Sequence, residues 1–486
     1  MMRKRTVALL VVAMMVLSSV LTLAIVNLPS FVQRASIGQG VLGALSGGGL
    51  NDQEKSKLST VASLIESNYY QNVDESKLVN GAINGMMEAL GDPYSSYMDT
   101  DTASQFSESI AGSFTGIGAE VSQDNGNVVI IAPIKGSPAE KAGLRAKDII
   151  VSVNGEKLSG NDLNAAVAKI RGKKGSVAEL EIQRAGSKET MTFKITRDDI
   201  SLETVYARMT SDKIGVIQIT QFSLNTAERF KQELTKLQAE GMKGLVIDVR
   251  NNPGGVLSVV EDMASQLIAK GKPIVQIEDR NGQRQVANST GQAVNYPIAV
   301  VTNGGSASAS EILAGALKQS AGATLYGETT YGKGTVQTSM DNLFNDGSLI
   351  KITIAKWLTP NGDWIHKKGI KPDVQIAPPD YYTVTPINTD NVLVYDMNND
   401  NIKNAQVMLA GLGYKVDRKD GYFDRSTETE VRAFQTAQKL TPTGKIDAKT
   451  ATALEAALIK HIQDPQYDVQ LNKAIAGVEK QVGTGK

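Results

Sequence analysis

Ala299-Val300-Val301-Thr302-Asn303-Gly304-Gly305-Ser306-Ala307-Ser308-Ala309-Ser310-Glu311-Ile312-Leu313-Ala314-Gly315-Ala316-Leu317 sets an apolar, β-branched run, a glycine turn and a second apolar run end to end. The passage reads as a buried strand, a tight turn and the start of a helix. Working outward, the theme repeats. Residues 213–219, 245–249 and 298–302 read as strands, and residues 225–238, 257–269 and 309–319 as helices. The strand at 245–249 is apolar except for Asp248. This alternation predicts an α/β core whose strands are buried on both faces.

The turn places Ser308 where the first N–H groups of a helix lack partners and the helix dipole is positive. Such a place suits an alkoxide and a developing oxyanion. A serine before a helix also serves commonly as an N-cap, and this segment alone leaves both readings open. The chain holds only two histidines, His366 and His461, and neither neighbours the serine cluster in sequence. A serine nucleophile here needs another base, and lysine is the candidate.

Gly327-Glu328-Thr329-Thr330-Tyr331-Gly332-Lys333-Gly334-Thr335-Val336-Gln337 carries Lys333 between two glycines. A catalytic lysine must be neutral, and moving its pKa from about 10.4 to about 7.5 takes roughly 4 kcal/mol of desolvation or like-charge pressure. Flanking glycines let a backbone approach and bury the amine. In a straight strand Gln337 would lie about 13 Å from Lys333, so the loop must curl back if the two are to touch. A neutral amide can orient the amine without restoring its charge, which a carboxylate would favour. Asp248-Val249-Arg250-Asn251-Asn252-Pro253-Gly254-Gly255 closes a buried strand. Its glycine pair is either a second source of oxyanion donors or a structural turn.

Taken together, these three segments resemble the carboxyl-terminal processing (tail-specific) serine peptidases of the S41 class. The resemblance implies that Ser308 is the nucleophile, Lys333 the general base and Gln337 its orienter. It implies an oxyanion hole made by the backbone amides of Ala309 and one of Gly254 or Gly255.

Two further parts of the chain carry resemblances of their own. Residues 128–131, 149–153, 179–183 and 191–195 read as short strands. Ser137-Pro138-Ala139-Glu140-Lys141-Ala142-Gly143-Leu144 reads as a short helix with a serine cap, proline at its first position and glycine at its end. Residues 161–171 read as a second helix, capped by Asn161 or Asp162. With Phe114-Thr115-Gly116-Ile117-Gly118-Ala119-Glu120-Val121 the unit resembles a PDZ domain. That resemblance implies capture of an extended peptide on a strand edge, with its terminal carboxylate in the amides of Gly116, Ile117, Gly118 and Ala119. Arg171-Gly172-Lys173-Lys174 reads as a solvated face, with attraction of a substrate tail as a secondary role. Gly421-Tyr422-Phe423-Asp424, Phe434-Gln435 and Thr443-Gly444-Lys445-Ile446-Asp447 resemble a small helical peptidoglycan-binding domain. Its aromatic and leucine positions recur at helical spacing and read as core before ligand contacts.

Composition sets the remaining bounds. Lys+Arg and Asp+Glu balance at 51 each over 486 residues, so no basic field argues for nucleic acid. Cysteine is absent, which excludes disulfides, thiolate zinc sites and a cysteine nucleophile. No metal or cofactor is expected. After Met1-Met2-Arg3-Lys4-Arg5, residues 6–28 are free of charge and mostly apolar. About 20 such residues span a bilayer, so this run is an uncleaved anchor with the basic flank in the cytoplasm, or else a cleavable signal. Either places the rest of the chain outside the cytoplasm.

The expected organisation is multidomain α/β. It comprises an anchor or signal (1–30), a flexible linker (31–52), an N-terminal helical segment (53–100), an inserted β-rich PDZ domain (101–198) and an α/β peptidase core (199–385). A small helical peptidoglycan-binding-like domain (395–465) and a tail (466–486) follow. The expected activity is that of an extracytoplasmic serine endopeptidase acting on proteins with an exposed C-terminus. Peptidoglycan is a further partner, and the apolar stripes of residues 53–90 would pair two copies or pack on the core. The competing expectation is a catalytically silent scaffold of PDZ and wall-binding domains.

Overall fold

The computed structural model describes residues 49–124, 126–158, 163–184, 189–341 and 343–483. The apolar run 6–28, most of the linker and the cap candidates Asn161 and Asp162 lie outside the described residues. Among the described residues no helix is long and apolar enough to cross a membrane. The chain divides into two compact units, Met1–Ala89 and Leu90–Lys486.

Helices α1 (Asp52–Asn68) and α2 (Glu75–Glu88) form the described part of the first unit. Asn51 and Glu54 close a reciprocal capping box at the start of α1, at 2.9 and 2.8 Å. Neither helix has a buried residue. Leu58, Val61 and Leu64 make an exposed apolar stripe along α1.

The second unit contains α3 (Thr100–Ala111) and then the β-rich region. Strand β2 (Ser113–Gly116) pairs antiparallel with β9 (Asp198–Ser201). A second sheet has the order β3 (Ala119–Asp124), β4 (Asn127–Pro133), β5 (Ile149–Val153), β7 (Val177–Gln183), β8 (Met191–Thr196), with β6 (Glu156–Lys157) on β5. Burial alternates along β7, so that Ala178, Leu180 and Ile182 enter the core and the residues between them face out. α4 (Pro138–Lys141) starts at Ser137, whose hydroxyl accepts the Glu140 N–H at 3.2 Å. α5 (Leu163–Ile170) packs Ala166 and Ile170 into the same core.

The α/β core holds a six-stranded sheet ordered β10 (Val205–Met209), β11 (Ile214–Ile219), β12 (Gly244–Asp248), β15 (Ile298–Thr302), β16 (Thr324–Gly327), β19 (Val374–Gln375). Its strands are parallel from β11 onward, and only β10 runs antiparallel. Every residue of β12 and β15 is buried, as a sheet covered on both faces requires. Helices α6 (Thr226–Ala239), α7 (Leu257–Ser265) and α8 (Ala309–Ala321) follow their strands in sequence. An antiparallel sheet of β1 (Ser96–Met98), β18 (Leu349–Leu358), β13 (Pro273–Asp279) and β14 (Arg284–Asn288) lies beside it, with β17 (Thr335–Met340) also on β18.

Helices α9 (Asp400–Gly411), α10 (Arg425–Ala437) and α11 (Ala448–Gln463) enclose Phe423, Val431, Phe434 and Leu454. These aromatic and leucine side chains are core, as their spacing suggests. Asn399, Asp424 and Asp447 cap the three helices, each accepting an N–H three residues on. Within the segment 466–486, expected as a tail, the described residues include a packed helix. Helix α12 (Val469–Gly483) buries Leu471, Ala474, Ile475 and Val478 against Val216, Val246 and Val301 of the parallel sheet.

Candidate active site

β15 delivers its chain into a turn that is stitched to the turn after β12. Asn303 Oδ1 accepts the N–H of Asn251 at 2.9 Å and that of Gly305 at 3.0 Å, while its Nδ2 donates to Asn251 Oδ1. Ser306 Oγ donates to Val249 O at 2.8 Å, and Ser310 Oγ to Asn252 O at 2.9 Å. The three serines of the cluster therefore separate. Ser306 and Ser310 are fully buried and hold the two turns together, and only Ser308 is left half-buried.

Ser308 adopts φ 54°, ψ −113°, a region that non-glycine residues occupy only when their surroundings over-determine it. The determinant is Glu311, whose Oε2 accepts the Ser308 N–H at 2.8 Å from one turn along α8. On the other side lies Gly254, with φ 106°. A Cβ at Gly254 would stand 2.8 Å from Ala307 O, 2.9 Å from Ser308 Cβ and 3.0 Å from Ala309 N. Only glycine permits this approach.

Lys333 is held from both sides of its peptide. Its N–H donates to Glu311 Oε2 at 2.9 Å and its carbonyl accepts Trp357 Nε1 at 2.8 Å. At Gly334 an added Cβ would lie 2.8 Å from His366 N and 2.9 Å from Trp364 Nε1, so the glycine lets the loop press into that corner. The Lys333 ammonium stands 4.9 Å from the centre of the Tyr94 ring. Burial pushes the lysine below its usual pKa and the like charge of Lys351 adds to this, with Asp92 and Glu311 pulling the other way. The Tyr94 phenol is pushed up to about 12, mainly by burial and then by its bond with Tyr331.

β17 shifts register against β18 between Val336 and Gln337, where the ladder breaks. Ser308, Lys333, Gln337, Lys351 and the glycines 254 and 255 all line one cavity of about 670 Å³. His366 does not line it. The imidazole stacks on Trp364 and its Nδ1 faces the Gly334 N–H at 3.4 Å.

Comparison with known proteins adds the decisive observation. The model of Peptidase family S41 matches residues 213–376. Carboxy-terminal processing protease CtpB of Bacillus subtilis (strain 168) is 48% identical over 428 residues, which is 87% of this chain and 89% of that protein. The chain belongs to peptidase family S41. Carboxy-terminal processing protease CtpA of the same strain is 43% identical over 468 residues, covering 96% of this chain and 97% of that one. A solved photosystem II D1 C-terminal processing protease is 32% identical, with a TM-score of 0.39, over 66% of this chain and 86% of that chain. The PDZ model matches residues 129–184, the peptidoglycan-binding model residues 398–454 and the model of the activating protease CtpB N-terminal domain residues 33–102. This S41 chain is a serine peptidase with PDZ and peptidoglycan-binding domains.

In the β-rich region of this S41 peptidase, ahead of the stretch the PDZ model matches, Gly116 ends β2, Ile117 is buried and Ala119 opens β3, the strand at the sheet's edge. Gly118, at φ 77°, has its carbonyl held by Ile134 N at 2.9 Å and Ser137 Oγ at 2.8 Å. The basic run after α5 is engaged: Arg171 pairs with Glu108 at 2.6 Å, and Lys174 with Asp198 and Asp199.

Four residues about the site were not singled out from the sequence. Glu311 had a visible sign, the Ser-x-x-Glu spacing of a capping box. Asp92, Thr353 and Lys351 had none: Thr353 and Lys351 reach the site through the β17–β18 pairing, and Asp92 reaches Thr353 across 261 residues of sequence.

Proposed function

We propose that this protein is an extracytoplasmic endopeptidase that takes protein substrates by their C-terminal tails and cleaves them through a serine–lysine acyl-enzyme. The observation that carries the reading is that Ser308, in a strained turn, and Lys333, disfavoured as an ammonium, open on one cavity. The neutral Lys333 amine takes the Ser308 proton as Oγ attacks the scissile carbonyl carbon. The oxyanion rests on the amides of Ala309 and Gly255, because the Gly254 N–H is already committed to Asn252 Oδ1 at 2.9 Å. Collapse breaks the C–N bond, and the departing amine takes the proton back from Lys333. Water, deprotonated by the Lys333 amine, then attacks the ester carbon; the C–O bond to Ser308 breaks, Lys333 returns the proton to Oγ and the acid is freed. Gln337 orients the amine throughout.

The PDZ domain supplies the tail site, at residues 116–119 beside the open edge of β3. Residues 6–28 anchor the chain with the peptidase outside the cytoplasm. The C-terminal helical domain binds peptidoglycan, and the exposed stripe of α1 pairs two copies.

The test is hydrolysis of a peptide with a free apolar C-terminus. Ser308→Ala and Lys333→Ala should each abolish turnover while leaving the thermal melt in place. Undiminished turnover in either variant removes the mechanism.

A further inference from the structure

The turn at residues 91–95 reads in sequence as punctuation after a helix, yet Asp92 is tied into the base. Its Oδ2 accepts Thr353 Oγ1 and Ser95 Oγ, each at 2.6 Å, and its Oδ1 accepts the Tyr94 N–H at 3.2 Å. Thr353 sits directly opposite Gln337 in the β17–β18 ladder, and its own N–H is fixed by Ser95 Oγ at 3.0 Å.

The direction of these bonds follows from donor counting. A carboxylate only accepts, so the single hydroxyl proton of Thr353 goes to Asp92. The Thr353 oxygen must then accept from Gln337, and only the Nε2 end of the amide can donate, at 3.0 Å. Thr335 Oγ1 takes the second N–H at 2.9 Å. With both amide protons spent, the carbonyl oxygen of Gln337 remains for the amine. A flipped amide would aim an N–H at the lone pair that must receive the Ser308 proton.

We propose that Asp92, acting through the Thr353 hydroxyl, locks the Gln337 amide with its oxygen toward Lys333 and is a positioning residue of the base. The inference rests on the assignment of Lys333 as base and Gln337 as its orienter. Other groups face the amine as well: Tyr94 from the same turn, Glu311 from α8 and Lys351 from β18, with Tyr331 bonded to Tyr94 and His366 turned to the Gly334 N–H. Of the carboxylates among them, Asp92 alone is linked through Thr353 to Gln337.

Thr353→Val keeps the side-chain shape and β preference but removes the relay. In the full chain it should lower kcat by about 10-fold or more, as loss of an oriented proton acceptor does, with KM little changed. Thr353→Ser, which retains the hydroxyl, should restore most of kcat. Asp92→Asn should lower kcat and also move the acid limb of the kcat/KM profile to lower pH, because a charge favouring the Lys333 ammonium is gone.

Unchanged kcat in Thr353→Val overturns the inference. So does an equal loss in the valine and serine variants that tracks a lowered melting temperature, or an acid limb unmoved by Asp92→Asn. Lys333→Ala run alongside separates the two levels. Turnover that survives Lys333→Ala defeats the base assignment itself, whereas an inactive Lys333→Ala beside a normal Thr353→Val defeats only the relay.

Discussion

One carboxylate oxygen, Oε2 of Glu311, accepts the backbone N–H of Ser308 and that of Lys333, at 2.8 and 2.9 Å. Its other oxygen takes Thr330 Oγ1 at 2.5 Å and the Gly332 N–H at 2.7 Å. The two turns that carry Ser308 and Lys333 are thereby clamped to a single fully buried side chain. Glu311→Gln offers one acceptor oxygen and sets an NH₂ group against backbone donors. Each buried group left unpaired costs about 1–3 kcal/mol, so the clamp should open. We expect kcat to fall by about 100-fold with KM nearly constant, and the melting temperature to drop by a few degrees. Steady-state kinetics and a thermal melt of the same preparation check this.

Gly254→Ala tests the approach between the two turns. The backbone at φ 106° disfavours any side chain, and the new methyl would meet Ala307 O, Ser308 Cβ and Ala309 N at 3.0 Å or less. The Ser308 turn must move, and with it the Ala309 amide. Loss of one oxyanion donor typically costs about 100- to 1,000-fold in kcat, so turnover should fall by that order while the fold survives. Wild-type kinetics in this variant would show that the contact is dispensable.

The parallel sheet was legible in the sequence because its strands are buried on both faces and so read as apolar runs, as in residues 245–249 and 298–302. The strand–turn–helix at Ser308 was legible for the same reason, with glycine marking the turn. Strands β13 and β18 were not, since half-buried strands such as Leu349–Leu358 mix Lys351, Thr353 and Lys356 among apolar residues. Helix α12 escaped because the buried side chains it covers lie far earlier in the chain, from Ile214 to Tyr326. Ser308, Lys333 and Gln337 could be named from their motifs. What holds them was less legible: Glu311 showed its capping-box spacing but not its bond to the Lys333 turn, Thr353 meets Gln337 only through the β17–β18 pairing, and Asp92 reaches Thr353 across 261 residues of sequence.

The depressed pKa of Lys333 gives a pH prediction with a definite sign. As the proposed base, Lys333 works only when deprotonated, so kcat/KM should rise with pH through the Lys333 pKa, at a pH below that of an ordinary lysine. Burial is the main cause and the charge of Lys351 the second. Lys351→Met removes like-charge pressure and leaves Asp92 and Glu311 favouring the ammonium. The acid limb should therefore move to higher pH, the reverse of the shift expected for Asp92→Asn. A pH–rate profile on one short peptide compares both, and an unmoved limb would show that Lys351 does not act on the base.

Arg250 ties the loop beside Ser308 to the start of helix α12. Its guanidinium meets Asp248 through Nε and Nη2, at 3.0 and 2.6 Å. It meets Asp468, just ahead of α12, through Nη1 and Nη2, at 2.9 and 2.5 Å. Burial opposes its charge, but the two carboxylates more than offset that and raise its pKa. Removing one partner of such a buried group costs about 3–5 kcal/mol, because the remaining charges are stranded. Arg250→Met should accordingly lower the melting temperature by several degrees, and Arg250→Lys should recover little, lacking the planar fork. Asp248 ends the strand that leads to Gly254, so turnover should fall in both variants even well below the melt. Truncation before Val469 goes further, since it strips Leu471, Ala474, Ile475 and Val478 from the parallel sheet. Burying each of the larger of these is worth roughly 1.5–3 kcal/mol, so the shortened chain should aggregate where the full chain stays soluble. A truncated protein with a wild-type melt and full turnover would show instead that α12 is an accessory to the core.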